Sequence, residues 1–177
     1  MSGDKLRPIE QETQALRATI KIGRSRAGKG EDAGADTRAV GRAIGHSDAR
    51  NGQPVSVERG DIRLFINLFA DSPGVTEPSF RAGYTLTTDS PATVTIGGAE
   101  TPLYPNAAYC TQDGAIDRCD QYAWTEPDDD AGLVAAMKGG REAVVTARSQ
   151  RGTITTDTFS LTGFTAALND AIQACSQ

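Results

Sequence analysis

The sequence is short of the residues that most often carry chemistry, with one histidine, one tryptophan, two methionines and three cysteines in 177 positions. Aromatic residues make up only 6% of it, so any core must be built mainly from aliphatic and β-branched side chains. No apolar run approaches the roughly 20 residues that a membrane-spanning helix needs. Basic residues are outnumbered too: 18 Lys and Arg against 23 Asp and Glu give a formal charge of −5. Binding to a nucleic-acid backbone or an anionic membrane requires a concentrated basic surface. Nucleic acid is therefore excluded as a general partner, and only local basic patches remain. The start, MSGDKLRPIEQE, has no apolar stretch of the kind a signal peptide requires.

What is present is the material of a single β domain, and 177 residues are ample for one. Leu16, Ala18, Ile20 and Ile22 alternate with Arg17, Thr19 and Lys21, which predicts a half-buried strand. Residues 23–54 hold few large apolar groups and read as an extended loop, with 38–44 as a short turn of helix or a strand. So long a structureless run is unusual in a compact domain, and the alternative is a further strand hidden there. Residues 1–54 are accordingly expected to form an N-terminal arm, strand and Gly/Arg-rich loop, and 55–177 the β-sandwich domain. Ile62, Leu64, Ile66 and Leu68 alternate with residues that are themselves largely apolar, as in a central strand covered on both sides. Phe80, Ala82, Tyr84 and Leu86 share one parity and predict the next strand. Residues 93–96 end at Gly97-Gly98, a hairpin signal, and the return strand carries Leu103 and Tyr104. These are expected to form an antiparallel meander. Tyr122 and Trp124 predict a short strand and are placed in the core.

Asp128, Asp129 and Asp130 precede Leu133, Val134 and Met137 at helical spacing. The expectation is a helix whose first amides are satisfied by carboxylates, with Gly139 at its C-terminal cap. Residues 142–148 predict a strand, 149–152 a turn, and 153–161 a second strand rich in threonine. Beyond Gly163, the residues Phe164, Leu168, Ala171, Ile172 and Cys175 line one face of a terminal helix that needs a sheet to lie on.

The run RGTITTDTFSLTGFTAAL, preceded by DDDAGLVAAMKGGREAVVTARS, resembles the C-terminal half of the invasion-associated locus B family of alphaproteobacterial envelope proteins. Upstream, ERGDIRLFINLFADSPGVTEPSFRAGYTL, ATVTIGGAETPLYP and QYAW fall in that family's order, so the resemblance covers roughly residues 57–175. It implies an all-β fold: an immunoglobulin-like antiparallel β-sandwich with one or two short helices, the last at the C-terminus. It also implies export to the periplasm or beyond, with any leader removed, and a link to host-cell invasion in some members. It supplies no catalytic residues and no cofactor. The segment NAAYCTQDGAIDRC reads as an insertion into a shorter connection.

Within that segment, Cys110 and Cys119 flank a loop holding the turn pair Asp113-Gly114. A disulfide between them would restrict the unfolded chain by roughly 2.7 kcal/mol on the chain-entropy model. Cys175 is then left over, and three reduced thiols are the alternative. GRSRAGKG, residues 23–30, contains the G-x4-G-K part of a phosphate-binding loop. Gly30, however, occupies the place of the Mg²⁺-binding hydroxyl, and the following EDAGADTR makes a poor anion-docking helix. Arg24, Arg26 and Lys29 are read instead as an exposed contact surface for an acidic partner. His46, with Ser47 and Asp48 beside it, cannot form a triad among adjacent residues, and reads as an exposed histidine. The triple Asp lacks the D-x-D-x-D-G pattern of a calcium loop, and two cysteines would need two further ligands to hold zinc. The resulting expectation is a non-enzymatic, exported protein without cofactor, acting on an unidentified protein or envelope partner. A small phosphate- or metal-handling enzyme using residues 23–30 is the alternative from another class, and an accessory structural subunit the third.

Overall fold

The computed structural model describes residues 17–21, 38–42, 45–69, 74–105 and 119–175. Eleven strands and two helices are described: β1 (Arg17–Lys21), β2 (Arg38–Arg42), β3 (Gly45–Arg50), β4 (Gln53–Pro54), β5 (Arg63–Phe69), β6 (Thr76–Arg81), β7 (Ala92–Ile96), β8 (Ala99–Leu103), β9 (Tyr122–Trp124), α1 (Pro127–Gly139), β10 (Glu142–Arg148), β11 (Ile154–Ser160) and α2 (Phe164–Cys175). The strands form a five-stranded sheet, β1-β2-β5-β6-β9, and a six-stranded sheet, β4-β3-β11-β10-β7-β8. All pairings are antiparallel except β1 with β2, which both lie along the same edge of β5. The expected sandwich-like β architecture, with its last helix at the C-terminus, is what the chain adopts.

The core lies where the inward parities of the two sheets meet. Leu64, Ile66, Phe80 and Ala123 from one sheet, and Val94, Leu103, Ala143, Val145 and Phe159 from the other, are fully buried. Phe80 and Phe159 meet edge to face across the sandwich at 6.3 Å, a favoured aromatic geometry. Helix α1 packs on β6, burying Leu133, Val134 and Met137. Helix α2 turns back from β11 and lies on β1, β2 and β5 of the opposite sheet, burying Phe164, Leu168 and Ala171. Ile172, placed on that apolar face by its spacing, is 38% exposed.

Several expectations are corrected. The run 23–54 is not all loop: β2 stands where a turn of helix or a strand was expected, and β3 and β4 follow it, so the alternative of a hidden strand is the one that holds. β3 pairs with β11 through its backbone and needs no large apolar residues to do so. The meander breaks after β6, and β7 returns the chain to the six-stranded sheet that β3 and β4 had entered. Strand β6 starts inside the turn-rich segment. It accommodates Pro78 because β9 ends at Trp124, opposite Ser79, so that on this side no strand residue pairs with the proline, which is matched only to Ile66 of β5. Ala82 and Leu86 are buried as their shared parity predicts, but the strand ends at Arg81, just ahead of Gly83 with its left-handed φ of 76°, and Leu86 makes only an isolated bridge to Ser149. Tyr122 and Trp124 are half-buried on the outer face, stacked with Phe65 and beneath Arg81, while the small Ala123 points inward. At α1, Glu126 is the N-cap but its side chain does not cap the helix; the Asp129 amide donates to the Glu126 carbonyl instead. Asp130 is buried and accepts from the Thr125 hydroxyl. Gly139 is the last helical residue, and Gly140 follows in an extended conformation.

Gly83 sits where two backbone segments nearly touch: the Gly60 amide donates to its carbonyl at 2.9 Å. A Cβ built there would lie 2.7 Å from the Gly60 oxygen, whereas at Gly152, with φ of 82°, the surrounding space is open. Gly83→Ala therefore carries conformational strain plus a backbone clash, and Gly152→Ala strain alone. Chaotrope denaturation is expected to show a loss of about 1 kcal/mol for Gly152→Ala and about 3 kcal/mol for Gly83→Ala.

Candidate functional site

Strand β11 lies between β3 and β10 and alternates strictly, so its inward side chains are Thr155, Asp157 and Phe159, with Thr153 just before it. Phe159 belongs to the core. The three polar residues each hold one side chain from elsewhere in the chain.

Asp157 holds Arg59. Arg59 Nη1 and Nη2 donate to the two carboxylate oxygens of Asp157, both at 2.7 Å, a bidentate arrangement that fixes distance and orientation together. Nη1 also donates to Asp48 Oδ1 at 3.3 Å, while Nε and Nη2 donate to the Ala82 carbonyl at 3.2 and 2.9 Å. These five bonds match the five N–H groups of a guanidinium. The side chains of Arg59, Asp48 and Asp157 are 4%, 3% and 0% exposed. A cation so enclosed is tolerable only because every donor has an acceptor.

Thr155 holds Tyr84. The phenol oxygen lies 2.6 Å from Thr155 Oγ1, and the Tyr84 ring lies 5.0 Å from the Arg59 guanidinium carbon in a cation–π contact. Burial pushes the Tyr84 pKa up to about 12, against smaller opposing effects from the Thr155 hydrogen bond and the Arg59 charge. The phenol thus stays protonated at physiological pH. Thr153 holds Arg50, whose Nε and Nη2 donate to Thr153 Oγ1 at 3.2 and 2.7 Å. The β10–β11 turn is pinned in its own right, with Ser149 Oγ accepting from the Thr153 amide at 3.0 Å and the Gln150 amide donating to the Thr85 carbonyl.

Above this floor opens a cleft of about 370 Å³, within the range of small-ligand sites. Its walls come from residues 57–59, residues 83–85, the β10–β11 turn and Gln121. The surroundings are polar, with hydroxyls, amides, Glu58, and the guanidinium groups of Arg50 and Arg151. Among the described residues, neither Arg50 nor Arg151 makes an ion pair.

The residues singled out by sequence do not converge here. Arg24, Arg26, Lys29 and Cys110 lie outside the described residues, so the pairing of Cys110 with Cys119 is not part of what the structure describes. Cys119 opens the 3-10 turn that carries Gln121 to the cleft wall. His46 falls in β3, in register with Asp157, and not in a loop. Asp128, Asp129 and Asp130 start α1. Among the described residues, no group of three or more His, Cys, Asp or Glu is placed to hold a metal ion, and no helix is long and apolar enough to cross a membrane.

The architecture is thus a two-sheet β-sandwich closed by two helices, with a polar cleft built on an ion-paired floor. Residues 58–172 match the family described as Invasion associated locus B (IalB) protein. The chain belongs to the invasion associated locus B family. Comparison with curated proteins and comparison with solved structures each found no match. The matched stretch contains Arg59, Tyr84, Thr155 and Asp157, whereas Asp48 and Arg50 come from the strand that precedes it.

The tyrosine pKa gives a direct check. Folding raises it from 10.0 to about 12, so the folded chain holds this proton more tightly than the unfolded one. The contribution is fully present below pH 10 and is lost as pH rises through 12, amounting to about 2–3 kcal/mol in all. Phenolate absorbance should show one of the four tyrosines titrating late. Thr155→Val removes a bond that lowers the pKa, and is expected to delay that titration further while costing about 1–3 kcal/mol of stability.

Proposed function

We propose that this protein is an exported, non-enzymatic binding protein that presents a preformed cleft to a partner in the cell envelope or outside it. The carrying observation is how the floor is tied. A general base or nucleophile must be able to exchange its proton with a substrate. Here the Tyr84 and Thr155 hydroxyls bond each other, Thr153 is held by Arg50, and both buried carboxylates are held by Arg59. A floor locked by its own scaffold loses little freedom when a ligand docks, which favours binding. Membership of the invasion associated locus B family supports extracytoplasmic action. On this reading, Cys110 and Cys119 form a disulfide in an oxidising compartment, and Arg24, Arg26 and Lys29 offer a further contact surface for an acidic protein.

Fractionation of the native host tests the assignment, combined with alkylation of the isolated protein without reduction and measurement of its intact mass. The expected result is recovery from the periplasm or medium with one of the three cysteines alkylated. Recovery from the cytosol with all three alkylated would contradict it.

A further inference from the structure

We propose that the cleft binds an acidic saccharide, a sugar ring carrying a carboxylate or phosphate, with the anion on Arg50 and Arg151 and the ring hydroxyls on the walls. This rests on the reading of the cleft as a binding site. Four observations specify the ligand.

The first is unspent positive charge. Arg50 is held by Nε and Nη2 on Thr153, which fixes its plane and leaves Nη1 without an acceptor among the described residues. Arg151 stands in the adjoining turn, exposed and likewise without a carboxylate partner there. Two guanidinium groups at one opening call for an anion.

The second is a buried amide with an open valence. Gln121 is only 6% exposed and lines the cleft. Its Oε1 accepts from Arg81 Nε at 3.5 Å, and the other end of the amide has no partner among the described residues. Buried polar groups ordinarily find partners, and a ligand hydroxyl would supply this one.

The third is wall chemistry. Glu58 offers acceptors only, Gln150 both donors and acceptors, and the larger apolar surfaces are those of Val57 and the Tyr84 ring, beside the smaller carbon surfaces of threonines and arginine stems. Such a mixture suits a ring bearing several hydroxyls and one C–H face. It provides no apolar recess for a peptide side chain.

The fourth is the poverty of strand edge. The cleft lies at the ends of β3 and β11, each of which already has a strand on both sides there, and the edge beside them is the two-residue β4, Gln53–Pro54. Strand addition by an extended peptide, the common backbone-driven mode, would find only that short, proline-bearing ladder to join. The volume of about 370 Å³ suits one or two sugar rings.

The test is titration of the full-length protein, followed by amide NMR, with galacturonic acid disaccharide, its neutral galactose counterpart, a hexose phosphate and polyglutamate. In each sample, chromatography of the sugar monitors turnover. Shifts at Gln121, Gln150 and Arg151 with either acidic sugar, and none with the neutral sugar or the peptide, are expected; which acidic sugar binds tells carboxylate from phosphate. Arg151→Gln, in an exposed turn where folding is not at stake, should weaken binding about tenfold, and Arg50→Gln by a similar factor. Equal binding of the neutral sugar, a preference for polyglutamate, no shift with any sugar, or unchanged affinity in Arg151→Gln would each overturn the proposal. Consumption of a bound sugar would instead overturn the non-enzymatic reading while leaving the ligand assignment standing.

Discussion

The buried guanidinium of Arg59 is the constraint around which this end of the sandwich is arranged. Its acceptors come from three separated places: Asp48 on β3, Asp157 on β11, and the carbonyl of Ala82 just beyond β6. Two belong to one sheet and the third follows a strand of the other, so Arg59 is an ionic cross-link between the layers. One turn of alternation further along the same strands, Phe80 and Phe159 perform that task by aromatic contact. The apolar core thus gives way to a polar one within two residues of β11. A buried ion pair is a poor source of net stability against a hydrophobic replacement, but removing one partner is costly because the others stay buried and charged. What the arrangement supplies is fixed geometry: five directional bonds hold Arg59, and the Tyr84 ring rests against its face.

The cleft follows from that geometry. Successive inward positions before the core, Thr153, Thr155 and Asp157, present side chains at the two-residue repeat of a strand, and each immobilises one long side chain. Gly83 and Gly60 let the backbone pass close enough for Arg59 to reach the Ala82 carbonyl. A site made this way is rigid without being part of the apolar core. That combination suits recognition of a polar ligand, where orientation of donors decides affinity more than buried area does. Asp48 and Arg50 reach the site from ahead of residues 58–172, so the strand preceding the matched stretch contributes one carboxylate to the floor and one guanidinium to the opening.

Much of the fold was legible in the residues. Ile62 to Leu68 read as a central strand, Gly97-Gly98 as a hairpin with both φ values positive, and Phe164, Leu168 and Ala171 as a buried helix face; all three follow from local periodicity. The site was less so, because its members are distant in sequence. Asp157 and Arg59 stand 98 residues apart, and an isolated Arg in ERGDIR carries no local pattern. One signal was available: within TITTDTFSL the parity that puts Phe159 and Leu161 inside also puts Asp157 inside, and a buried carboxylate demands a cation. β3 was missed for the converse reason, since GHSDAR owes its strand conformation to pairing with β11 and not to apolar alternation. Tyr122 and Trp124 went to the wrong face because a three-residue strand is too short to declare which parity is inward, and the small Ala123 takes the core position.

The most direct measurement of the central claim is a double-mutant cycle on Arg59→Met and Asp157→Leu, read by equilibrium chaotrope denaturation. If the cross-link organises the sandwich end, each single change is strongly destabilising, and the double variant recovers part of the loss, with a coupling energy of about 2–3 kcal/mol. Additive losses, with coupling near zero, would mean that Arg59 and Asp157 merely lie side by side and that something else holds the two sheets together there.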